Sequence, residues 1–95
     1  MPKGYIVANI RAHDAEGIKR FAEASAPVIA KFGGRVLARD LNPELREGAL
    51  QGFSVIVEFD DVEAARAFYE SSGYTAAKAI RQAAAETDLR IVEGV

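Results

Sequence analysis

The stretch Phe53-Ser54-Val55-Ile56-Val57-Glu58-Phe59, followed at once by Asp60-Asp61-Val62-Glu63-Ala64-Ala65, decides how this chain folds. Its first half is a β-branched and aromatic run, apolar on both faces apart from Ser54 and Glu58, and predicts a strand. Its second half changes period. Asp60-Asp61 with Glu63 resembles a capping box, and Val62, Ala65, Phe68 and Tyr69 then share one helical face. Ser71-Ser72-Gly73 stops that helix, and an alanine-rich second piece is predicted from about Tyr74 to Glu86, with Ala77, Ile80 and Ala84 inward and Lys78 and Arg81 nearby.

Working outward, Tyr5 to Ile10 is a short strand with Tyr5, Val7 and Asn9 on one face and Ile6, Ala8 and Ile10 on the other. Asp14 suits a helix N-cap, Glu16 suits the first turn, and Ile18, Phe21, Ala22, Ser25, Ile29 and Phe32 recur at spacings of three and four. Pro27 lacks an N–H and crowds the carbonyl four residues earlier, so a kink or break is expected near Ser25. Gly33-Gly34 closes the helix, and Arg35 to Asp40 reads as the second strand. Asn42-Pro43 and Gly48 mark a long, bulged hairpin arm leading to Phe53, expected to be the most mobile element. Thr87-Asp88 turns the chain into a last strand, Leu89 to Glu93. The order βαββαβ predicts one ferredoxin-like α+β domain over residues 1–95, with an antiparallel four-stranded sheet.

The 95 residues, 49% of them hydrophobic, fit a single domain. Twelve basic and fourteen acidic residues are interspersed and leave a formal charge of −2, which argues against nucleic acid or an anionic membrane as partner. Without cysteine there is no disulfide, thiolate nucleophile or cysteine metal site, and no apolar run approaches the ~18 residues of a bilayer span. No secretory leader is apparent, and a cytoplasmic location is expected.

Both helical segments of such a unit pack on one face of the sheet. The other face is expected to hold Val7, Leu37, Val55, Val57 and Ile91, or their alternates. At ~25 cal/mol per Å², leaving that much apolar surface in water forgoes several kcal/mol, comparable with a small domain's whole stability. A second copy is the expected cover, giving a homodimeric α/β-barrel.

Chemistry is sparse. His13 is the sole imidazole and sits in a connector, which makes a triad improbable, and metal ligation by His and Cys is excluded by count. Gly33-Gly34 ends a helix, whereas phosphate cradles open one. RNA-recognition domains share this element order. Here, however, Ile6 and Val55 stand where bases would stack on aromatics, and Glu58 places negative charge near phosphates. What remains is Arg39, Glu58, Tyr69 and Arg81, read as lining a cleft between sheet and helices that binds a small carboxylate, since arginine offers a planar fork. The plainer reading, favoured on these residues alone, pairs Arg81 or Arg39 with Glu58 and so holds the helix on the sheet. No metal and no cofactor is expected, and Asn9 is read as a strand residue bonded to a neighbour.

Gly4-Tyr5, Lys31 to Arg39, Val57-Glu58-Phe59, Phe68-Tyr69 with Ser71 and Tyr74, and the terminal Ile91-Val92-Glu93-Gly94 together resemble the DUF1330 family over nearly the whole chain. The resemblance implies a dimeric α/β-barrel. It implies no activity, because the family has none established; fold relatives include cofactor-free monooxygenases, haem-degrading enzymes and lactone isomerases. Asp40, and Ser72-Gly73-Tyr74, depart from the family's usual pattern at the expected pocket rim. The expected function is therefore small-molecule binding, with a cofactor-independent monooxygenase or isomerase as the alternative.

Overall fold

The computed structural model describes residues 2–95. Along it run β1 (Gly4–Ala12), α1 (Ala15–Lys31), β2 (Arg35–Asp40), β3 (Phe53–Phe59), α2 (Val62–Glu70), α3 (Ser72–Ala84) and β4 (Ala85–Glu93). The strands form one antiparallel sheet in the order β2-β3-β1-β4, the ferredoxin-like arrangement predicted.

Local chemistry explains most boundaries. Asp14 caps α1 by accepting from the Gly17 N–H at 3.2 Å. Gly33, at φ 75°, ends it in a Schellman motif: the Gly34 N–H reaches the Ile29 carbonyl at 2.8 Å and the Gly33 N–H reaches that of Ala30 at 3.0 Å. The division into two helical pieces expected near Ser25 on account of Pro27 does not occur, and α1 is continuous. Packing on α3 beside the proline offsets the lost hydrogen bond: a Cβ on Gly73 would stand 3.1 Å from Val28 Cγ2, and at the start of α1 a Cβ on Gly17 would stand 2.6 Å from that of Ala84. Both N–H groups of the His13-Asp14 turn bind the Ala84 carbonyl as well.

Asp61 alone caps α2, accepting from the Ala64 N–H at 2.8 Å. The third helical residue is Ala64, so the reciprocal arm of a capping box is missing, and Glu63 pairs instead with Arg66. Ser71 ends α2 and opens α3: its hydroxyl donates to the Phe68 carbonyl at 2.7 Å and accepts from the Tyr74 N–H at 3.1 Å. Helix α3 therefore begins two residues before the predicted start. Strand β4 takes up Ala85 to Asp88 as well, because the β1 ladder continues to the pair Ala12 and Ala85.

Register decides the faces. Ile6, Ala8, Ile10, Val57, Phe59 and Ala85 are buried beneath the helices. Of the residues expected on the helix-free side, Val55, Val57 and Ile91 share the parity of this core; only Val7 and the exposed Leu37 stand outside it. The β2 ladder shifts between Val36 and Ala38, leaving Leu37 unpaired at the irregularity. On the helix-free side, cross-strand rows read Arg35, Glu58, Tyr5, Val92; then Ala38, Ile56, Val7, Arg90; then Asp40, Ser54, Asn9, Asp88. That side is thus a short apolar row between polar ones and not the continuous apolar surface predicted.

Candidate functional site

Between α1 and the sheet lies a cleft of about 320 Å³. It exists because α1 turns small side chains, Ala22, Ser25, Ala26 and Ala30, toward a floor of Ile6, Ala8, Val55, Val57 and Leu89, and they are too short to fill the gap. The volume is at the low end for small-molecule sites, and the walls are almost wholly apolar.

One charge interrupts them. Arg81 lies on the buried stripe Tyr74, Ala77, Arg81, Ala84 of α3 and is only 4% exposed. Its Nη1 donates to the Tyr74 hydroxyl at 2.5 Å, and its guanidinium stands 5.5 Å from the Phe21 ring centre and 5.9 Å from that of Tyr74. These π faces and one phenol oxygen attract the cation, but among the described residues no carboxylate pairs with it, and its Nε is buried without a partner. Burial raises the Tyr74 pKa while Arg81 pulls it back, so Tyr74 stays a phenol with its own O–H to donate.

The structure separates the four predicted site residues. Arg39 and Arg81 both line the cleft, Arg39 from the exposed edge strand β2. Glu58 is on the opposite face of the sheet, where its carboxylate accepts from the Tyr5 hydroxyl at 3.0 Å and from Arg35 Nε and Nη2 at 3.0 and 2.9 Å. The Arg35 bonds, then that of Tyr5, hold Glu58 below the usual carboxylate range. Arg35 thus occupies the acid that the ion-pair reading assigned to Arg39 or Arg81. Tyr69 is outside the lining, its ring 5.5 Å from that of Tyr74 and 4.8 Å beneath the Lys78 ammonium. Asn9 donates to the Gln51 carbonyl at 2.7 Å, the bonded-neighbour role expected of it. Sequence reasoning missed Tyr74 and Ser25. The spacing of Tyr74, Ala77, Arg81 and Ala84 carried the signal, because it puts an arginine in line with core residues.

This arrangement can bind an anion, orient it and stabilise negative charge. Among the described residues no Asp, Glu, His, Lys or Cys lines the cleft, so a general base must come from the ligand or from outside.

Solved structures share the fold. A protein of unknown function from Rhodopseudomonas palustris superimposes with TM-score 0.82 at 19% identity, over 99% of this chain and 83% of its own. A dimeric ferredoxin-like protein of unknown function from Bacteroides fragilis gives 0.64 at 15% identity, over 96% and 95%. A point mutant of SnoaB, a cofactor-independent oxygenase from Streptomyces nogalater, gives 0.69 at 20% identity, over 95% and 90%. No curated protein sequence matches closely enough to lend an activity. The family described as "Domain of unknown function (DUF1330)" matches residues 3–95, almost the full length, and the chain belongs to it.

Proposed function

We propose that this protein is a homodimer that binds a small carboxylate with an apolar body in the cleft between α1 and the sheet. The observation that carries the reading is Arg81, a buried guanidinium that has no acid beside it among the described residues and stands in the wall of a largely apolar cavity. An ion withdrawn from water without a counter-charge costs several kcal/mol, and a ligand carboxylate supplies that counter-charge along with acceptors for the unspent N–H donors and the Tyr74 phenol. The apolar walls take the body of the ligand. Glu58 and Tyr69 have no part in it.

The test is thermal unfolding against small aromatic and branched carboxylates, each beside its neutral amide. Carboxylates are expected to raise the midpoint by on the order of 10–20 °C at a hundredfold excess over Kd, where linkage contributes roughly 2.7 kcal/mol. A panel in which amides match carboxylates overturns the reading.

The homodimer is supported by the helix-free face and by the dimeric state named for the Bacteroides fragilis relative. Ala38, Ile56 and Val7 form an apolar strip that ends at Arg90, and in the row beside it Arg35, Glu58 and Tyr5 already satisfy one another, so covering the strip strands no charge from that row. Ile56→Asp is expected to yield a folded single subunit in light scattering at micromolar concentration, while the parent scatters as a dimer. A monomeric parent sinks the proposal.

A second reading, a cofactor-independent oxygenase or isomerase, draws on the likeness to SnoaB and on Arg81 as a stabiliser of enolate charge. The lack of a carboxylate, imidazole or amine base among the described lining residues places it second. Arg81-dependent turnover of an enolisable substrate would reverse that order.

A further inference from the structure

The cleft has a second unpaired arginine, and it stands at a different depth. Arg39 lies on β2 in register with Val55, which turns it to the helix side of the sheet, and among the described residues no carboxylate pairs with it. It is exposed, whereas Arg81 is buried. The cleft also continues beyond Arg39. Ile18, Ala22, Ala26, Arg39 and Phe53 line both it and an adjoining surface groove, to which Lys19 adds a second cation and Glu23 the one acid among the described lining residues. One apolar cleft is therefore lined by a buried guanidinium and an exposed one.

From this geometry we infer that the ligand is an elongated apolar molecule with an anionic group at each end, one carboxylate at Arg81 and a second at Arg39 on the rim. The inference rests on the carboxylate reading of the cleft and names the class of ligand. Arg81, desolvated, sets whether an acid binds at all. Arg39, in water, sets which acid is preferred. An exposed ion pair is worth up to about 1 kcal/mol, which converts to about a fivefold preference for the two-ended acid, and the preference weakens as salt rises.

Isothermal titration of straight-chain α,ω-dicarboxylates, adipate through dodecanedioate, beside monocarboxylates of equal length tests this on the parent, Arg39→Gln and Arg81→Met. The parent is expected to prefer one or two lengths of dicarboxylate by about fivefold. Arg39→Gln is expected to erase that preference, while Arg81→Met abolishes binding of both. Equal affinity for the two series at every length, or a preference that survives Arg39→Gln, overturns the two-ended ligand. If monocarboxylates still bind in an Arg81-dependent way, the cleft reading stands without it. If neither series binds the parent, both fall.

Discussion

Replacing Arg81 by Met is expected to leave the unliganded protein folded and at least as stable as the parent, while abolishing every carboxylate-dependent gain in stability. A structural arginine does the reverse. Cutting one partner from a buried ion pair costs about 3–5 kcal/mol because the other charge is stranded, whereas replacing buried charge with apolar side chains of like volume is neutral or stabilising by about 1–4 kcal/mol. Arg81 has no carboxylate to strand, and its loss frees only the Tyr74 hydroxyl, which borders the cleft. Methionine is flexible and apolar enough to lie against Phe21 as the guanidinium does. Urea unfolding of both proteins, with and without the best carboxylate, measures the two effects together. A loss above about 3 kcal/mol in the unliganded variant would mean that Arg81 holds the fold, and the site would fall with it.

Residue patterning made the architecture legible and left the site half legible. The change from alternating to helical spacing after Phe59, the caps at Asp14 and Asp61 and the Gly33-Gly34 stop are all local signals, and each stands where expected. Pro27 misled because propensity is local, while the contacts that pack α1 on α3, Val28 with Gly73 and Gly17 with Ala84, join residues far apart in the chain. Sheet parity misled in a similar way. In a strand apolar on both faces, such as β3, composition does not say which side the helices cover, and the ladder with β1 put Val55 and Val57 beneath them and Glu58 outside. That one choice removed Glu58 from the cleft and gave it to Arg35. Arg39 and Arg81 remained because one sits beyond the shifted β2 register and the other in the core stripe of α3. The pairing of Arg81 with Tyr74 is an i to i+7 contact, visible in the sequence only once the arginine itself is known to face inward.

Phe59→Ala is expected to be the most damaging single truncation for stability, and to damage stability alone. Among the described residues Phe59 is the one large side chain with no exposed surface, at 0%. Its ring centre lies 5.2 Å from that of Phe68, which in turn stands 4.4 Å from Tyr74, so it anchors an aromatic series leading from β3 into α3. The backbone of Gly34 approaches so closely that a Cβ there would come within 2.7 Å of the Phe59 ring, and little around it can collapse into the space left. Burying an aromatic and then deleting it costs about 3–5 kcal/mol, a large share of the roughly 5–15 kcal/mol that holds a domain together. The midpoint should fall by on the order of 15–30 °C at about 4–8 °C per kcal/mol. Phe59 does not line the cleft. The fraction that stays folded at low temperature should therefore keep its carboxylate affinity, the opposite of the Arg81→Met result. A loss below about 1 kcal/mol would show that the aromatic series repacks freely, and with it that the cleft wall formed by Phe68 and Tyr74 has no fixed shape for a ligand to meet.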